Sequence, residues 1–120
     1  MYVAIDGDDS GKKIVACYLN NDEARLRRIS KELEQSAQCI SELLKSAGFT
    51  VVFCAADGVA ARGPEESDFE GIFEKVRALA PEGFTFSAGL GDSLREAYVA
   101  LLNAKCTGKD RYCSFNDLGR

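Results

Sequence analysis

Residues 48–62, GFTVVFCAADGVAAR, carry two β-strand signals around one turn signal. Residues 49–55 are β-branched and aromatic, which suits a pleated, half-buried surface. Ala56-Asp57-Gly58 reads as a tight turn, and residues 59–62 return as the other arm of a hairpin. Two strands with no room for a helix between them interrupt a simple strand–helix alternation. The elements on either side then settle which α/β architecture this is.

Upstream, residues 1–5 form a short apolar run that stops at Asp6-Gly7-Asp8-Asp9, the pattern of a central strand ending in a polar loop. Ser10–Leu19 is ambiguous, with Ile14, Val15, Cys17 and Tyr18 sufficient for one or two helical turns. Asn20, Asn21 and Asp22 are all N-cap residues. Leu26, Ile29, Leu33, Ala37, Ile40 and Leu44 then recur three and four apart, which predicts a long amphipathic helix ending at Gly48.

Downstream, Gly63-Pro64 breaks the chain. Ser67 and Glu70 read as a capping box for a helix with Phe69, Ile72, Phe73, Val76 and Leu79 on one stripe, stopping before Pro81. Residues 84–90 predict a fourth strand. Asp92 or Ser93 caps a further helix with Leu94, Ala97, Tyr98, Leu101 and Ala104, closed by Gly108, and residues 111–115 predict a last strand. The order β-α-β-β-α-β-α-β predicts one domain over residues 1–120: a ferredoxin-like α/β sandwich with an added helix and strand.

That topology sorts the polar groups. With strand 1 running upward, the long helix returns downward and strand 2 runs up, parallel to strand 1. Asp6 then lies at the top of strand 1 and Asp57 at the top of the hairpin. The last helix ends at the same edge and brings Lys105, with Lys109 just beyond it, while Asp92 falls at the bottom as a helix cap. Two carboxylates on strand ends suit divalent cations, which take oxygen ligands and keep positions open for phosphates. Two such ions activate an attacking hydroxyl and stabilise a leaving oxygen in phosphoryl transfer. The loop of residues 7–12, opening toward a helical segment, offers backbone N–H groups to a phosphate chain.

Composition bounds the function. Apolar residues make up 46% of the 120 and charged residues 28%, which is a folded globular chain rather than a disordered one. The net charge of −4 argues against a duplex-binding module and against direct nucleic-acid contact. Nucleotides stay open, since metal ions and a few lysines suffice for their phosphates. There is no histidine, which excludes His-based catalysis. The five cysteines form no C-x-x-C pair, which excludes zinc ribbons and fingers and leaves reduced thiols. The N-terminus lacks a basic segment, and no apolar run approaches the roughly 20 residues that span a bilayer. A cytoplasmic protein with no membrane partner is expected.

Three segments, MYVAIDGDDSG, FTVVFCAADGV and FSAGLGDSLREAYVALLNAKCTGKDR, together resemble the minimal CRISPR polymerase (mCpol) family in order and over almost the whole chain. These are stand-alone palm domains related to GGDEF diguanylate cyclases and to the polymerase palm of the type III CRISPR effector. The resemblance implies that Asp6 is the strand-1 metal-binding aspartate and that the Gly7 carbonyl is the main-chain ligand beside it. Asp57 matches the third position of the G-G-[DE]-[DE] hairpin motif, and Lys105, in the AK-x-x-GK stretch, the lysine that contacts triphosphate. Ala55 and Ala56 stand where GGDEF cyclases have glycines, and Gly58 replaces the second acid.

The implied activity is a nucleotidyltransferase that uses two Mg²⁺ or Mn²⁺ ions per site. It makes a cyclic di- or oligonucleotide messenger from NTP, with ATP expected, in antiviral defence, and a separate effector protein reads the product. Asp6 and Asp57 are the expected catalytic residues. Asp6, Gly7 and Asp57 are the expected metal ligands, and Asp8, Asp9, Ser10, Gly11, Lys12, Lys105 and Lys109 the nucleotide-binding residues. Closing a ring from two nucleotides needs two half-sites face to face, so a homodimer is expected.

Rival readings are a palm-fold hydrolase resembling GTP cyclohydrolase III and a degenerate palm that only binds nucleotides. A receiver domain fails because the first crossover is too long and no strand ending in Asp follows the hairpin. A haloacid dehalogenase phosphatase fails on length, and an EF-hand fails because Cys17 stands where the bidentate Glu belongs.

Overall fold

The computed structural model describes residues 1–119. Its strands are β1 (Tyr2–Gly7), β2 (Thr50–Ala55), β3 (Gly58–Arg62), β4 (Phe86–Gly91) and β5 (Tyr112–Ser114). Its helices are α1 (Ser10–Leu19), α2 (Glu23–Ser46), α3 (Phe69–Ala78) and α4 (Leu94–Cys106), with one 3₁₀ turn at Phe115–Asp117. One sheet of order β2-β3-β1-β4-β5 holds the molecule together. β1 is antiparallel to both β3 and β4, β2 is antiparallel to β3, and β5 adds parallel to β4. The first four strands with α2 and α3 make the expected ferredoxin-like core, and α4 with β5 is the expected addition.

Strand alternation explains the layers. Val3 and Ile5 of β1, Val59 and Ala61 of β3, and Phe86, Ala88 and Leu90 of β4 share one buried cluster with Ile40 and Leu44 of α2 and Phe73 and Val76 of α3. The alternate residues of β4 face α4 on the other side of the sheet. A Cβ on Gly89 would run into the backbone of Ala97 and Leu101, and one on Gly91 into Glu96 and Ala97. These glycines let α4 lie close to the sheet, with Ala97, Ala100 and Ala104 buried beneath it. β4 is therefore buried along its whole length. A second, smaller cluster of Cys17, Ile29, Leu33 and Phe84 seats α1 against α2.

Several local expectations need adjusting. Ser10–Leu19 is a full ten-residue helix rather than one or two turns. Its packing on Ile29 and Leu33, distant in sequence from its own weak stripe, makes it so. The cap of α3 is Asp68, which accepts from the Gly71 N–H at 3.2 Å, while the Ser67 hydroxyl donates to the Pro64 carbonyl. Ser93, not Asp92, caps α4 by accepting from the Glu96 N–H at 3.1 Å. Glu96 reaches back to the Asp92 N–H at 2.9 Å, a variant of the reciprocal capping box. The fourth strand runs two residues later at its start than the apolar run suggests. The long helix ends as expected, with Gly48 just past it at φ +90°.

Candidate active site

The sheet ends at its upper edge in a cleft of about 940 Å³. One end is lined by Asp6, Gly7, Ser10, Gly11, Asp57 and Lys105. The other runs between α1 and α2, where Ile14, Leu26 and Leu33 are apolar and Arg27, Ser30, Lys31 and Glu34 are polar. Asp6 and Asp57, 51 positions apart in a 120-residue chain, thus line one cleft. A Cβ on Gly58 would lie 3.4 Å from Asp6 Oδ1. One on Gly7 would collide with Asp57 Oδ2 and stand 2.6 Å from Ser10 Oγ. Only glycine leaves room at position 7 for the hairpin carboxylate to approach the main chain of β1.

Lys105, in the last turn of α4, reaches into this corner. Its Nζ donates to Asp6 Oδ2 at 2.8 Å and to the Gly7 carbonyl at 2.8 Å, and lies 3.9 Å from Asp8 Oδ1. Burial pushes the Asp6 carboxyl above its ordinary 3.8, and the nearby charges of Asp57 and Asp8 push the same way. The hydrogen bond from Lys105 pulls it back down. Asp57 has no hydrogen bond or ion pair of its own among the described residues. Two neighbouring carboxylates with a single ammonium, held by Asp6 and not by Asp57, make a site of net negative potential that favours a further positive charge.

The other acids of the loop behave differently. Asp8 is buried, and its carboxylate accepts from Thr85 Oγ1 at 2.7 Å, from Ser87 Oγ at 2.8 Å and from the Asp110 N–H at 3.0 Å. Through those donors it ties β1 to β4 and to the loop after α4, away from the cleft where nucleotide is expected. Asp9 takes both oxygens to Lys109 Nζ at 2.8 Å, with Lys12 at 3.6 Å. None of Asp8, Asp9, Lys12 and Lys109 lines the cleft. Of the seven nucleotide-binding candidates, Ser10, Gly11 and Lys105 do.

Ser10 opens α1 behind Asp9, which sits at the N-cap in a left-handed conformation without offering its side chain as a cap. Ser10 Oγ is buried and has no hydrogen-bond partner in the protein. The N-terminus of this ten-residue helix thus has no side-chain cap, and the hydroxyl at its first position is an unused donor, the chemistry an anionic oxygen needs. In the hairpin, Ala56 adopts φ 50°, the left-handed region where a glycine is at ease. Sequence reasoning missed the polar α2 residues 27, 30, 31 and 34. Their spacing puts them on one helical face, a signal that was available in principle.

The oxygens fit a hard divalent cation. The Lys105 ammonium already occupies a cation position between Asp6 Oδ2 and the Gly7 carbonyl, and the Gly7 cradle admits Asp57 beside it. Among the described residues no three His, Cys, Asp or Glu side chains form a self-sufficient metal cage. Two carboxylates and a carbonyl match Mg²⁺, which keeps waters and takes phosphate oxygens from a substrate.

A ferredoxin-like core with an added helix and strand, bearing acids at the end of β1 and in the β2–β3 turn, defines a polymerase- and cyclase-like palm domain. The family model for the minimal CRISPR polymerase domain (mCpol) matches residues 2–115. The chain belongs to the mCpol family. No curated protein matches it. Among the described residues, no helix is long and apolar enough to cross a membrane.

Proposed function

We propose that this chain is a metal-dependent nucleotidyltransferase that joins nucleoside triphosphates, ATP foremost, into a cyclic di- or oligonucleotide signal for antiviral defence, read by a separate effector. One observation carries the reading: a cation position is built from Asp6 Oδ2 and the Gly7 carbonyl, with the unpaired Asp57 in the same cleft. Asp6, the Gly7 carbonyl and Asp57 hold the metal ions, two per site. When bound there, Mg²⁺ or Mn²⁺ would supply Lewis acidity to the attacking ribose hydroxyl and positive charge to the departing pyrophosphate.

The residues around it position the substrate. The N–H groups opening α1 and the Ser10 hydroxyl take phosphate oxygens, and Lys105 adds positive charge. The apolar stretch of Ile14, Leu26 and Leu33 receives the base, with Ser30 and Glu34 offering hydrogen bonds to its edge. A site without histidine suffices, because phosphoryl transfer gains most from positioning and electrostatics. Ring closure from two nucleotides calls for two half-sites, so the active species is a homodimer. Val15, Tyr18 and Leu19 leave apolar surface exposed on α1, with Tyr18 at the cleft itself.

The test is incubation with each NTP and Mg²⁺ or Mn²⁺, with products identified by mass spectrometry. Pyrophosphate and a cyclic product support the proposal. A ring-opened base turns it into a hydrolase, and binding without turnover into a sensor. Light scattering of the purified protein checks the dimer.

A further inference from the structure

We infer that Lys105 is a tethered cation that occupies the proposed metal position and must leave it before a divalent ion can enter. This rests on the reading of Asp6 and Gly7 as metal ligands. Lys105 Nζ lies 2.8 Å from Asp6 Oδ2 and 2.8 Å from the Gly7 carbonyl, the two oxygens assigned to the metal. An ammonium and a divalent cation cannot share them: both are positive, and a compact point charge fills the gap between the two oxygens. The exchange is local. Ala97, Ala100 and Ala104 bury α4 against the sheet, and the Lys109 N–H bonds the Ala104 carbonyl at 3.0 Å, so the helix backbone is fixed and the exchange falls to the four-carbon stem of Lys105.

The destination is also built. Lys105 lines the same cleft as Ser10 and Gly11, at the helix N-terminus that receives anionic oxygen. Phosphate arriving there gives the displaced ammonium a strong anionic partner. Free metal therefore binds weakly and a metal–triphosphate complex binds well. In this way Lys105 is a positioning residue that keeps the two acids apart from adventitious cations until substrate is present.

Two measurements test this without turnover. Mn²⁺ binding without nucleotide, read from the electron paramagnetic resonance of the free ion, should be about tenfold tighter or more in Lys105→Met, since entry no longer breaks two charged hydrogen bonds. Lys12→Met, which removes an equal charge from an exposed side chain, should change it far less. In the wild-type protein, acetylation of Lys105 by an amine-reactive reagent, followed by peptide mass spectrometry, should rise as Mg²⁺ is titrated to saturation of the weak site. Equal Mn²⁺ affinity in wild type and Lys105→Met, or Lys105 labelling indifferent to Mg²⁺, overturns the exchange while leaving the metal site standing. Failure of both proteins to bind Mn²⁺ overturns the exchange and the metal reading together.

Discussion

Within four residues, Asp6-Gly7-Asp8-Asp9, the chain makes two kinds of carboxylate. Asp6 opens to the cleft, its carboxylate held by one lysine ammonium and crowded by Asp57. Asp8 is buried and accepts from Thr85, Ser87 and the Asp110 N–H. The pair Asp6 and Asp57 is short of donors, and the pair Asp8 and Asp9 is supplied with them. A buried acid whose acceptors are filled by its own protein is part of the frame. An acid that repels its neighbour and holds only a flexible side chain is poised to accept a cation from outside. The difference lies in what the rest of the chain brings to each acid and not in residue type.

The comparison breaks most visibly in activity. Asp6→Asn and Asp57→Asn should each lower pyrophosphate release about a hundredfold or more, because a metal contributes several kcal/mol to such a transition state. Circular dichroism should show both variants folded. Near-native release by either one removes it from the proposed metal site. Gly7→Ala comes next, since its Cβ meets Asp57 Oδ2 and Ser10 Oγ. It should cost about 1–3 kcal/mol in urea unfolding as an overpacked site and weaken Mn²⁺ binding. Gly58→Ala, whose Cβ stands 3.4 Å from Asp6 Oδ1, should stay within about 0.5 kcal/mol.

On the frame side, Asp8→Ala strands the Ser87 and Thr85 hydroxyls and the Asp110 N–H. It should destabilise the fold by about 1–3 kcal/mol, read from urea midpoints. The folded fraction should still bind Mn²⁺. Loss of metal binding in folded Asp8→Ala would falsify the division drawn between Asp6 and Asp8.

The sequence carries half of this contrast. The hairpin, β1 and the stripe of α2 follow from local patterns, and the handed crossover then puts Asp6, Asp57 and Lys105 at one edge. The fate of Asp8 does not follow, because its partners Thr85 and Ser87 lie 77 and 79 residues away and read only as small strand residues. Likewise α1 is formed by tertiary packing on α2, and its exposed Val15, Tyr18 and Leu19 blur its periodicity. The choice of Asp68 over Ser67, and of Ser93 over Asp92, is between neighbouring cap formers that composition ranks equally. Backbone angles decide it.

The smallest effect distinguishes the two frame acids from each other. Lys109 hydrogen-bonds Asp9 and holds its carboxyl below the ordinary 3.8, and the same bond holds Lys109 above 10.5. A carboxyl depressed by folding adds stability above its unfolded value, and that stability is lost as pH falls through the lower folded value. A raised lysine adds stability below 10.5 and loses it as pH climbs through the higher folded value. The pair therefore steadies the loop of residues 107–111, where Lys109 and Asp110 both take left-handed angles, evenly across neutral pH. Both side chains are about a third exposed, so salt screens the pair. Thermal melts of wild type and Lys109→Met should differ by a small, constant amount from about pH 5 to 9. The gap should close below pH 3.8 and in about 1 M salt, where the Debye length is near 3 Å. The Asp8→Ala deficit should survive that salt, because its hydrogen bonds are buried. If the two deficits respond alike to salt, Asp8 and Asp9 are one kind of acid after all.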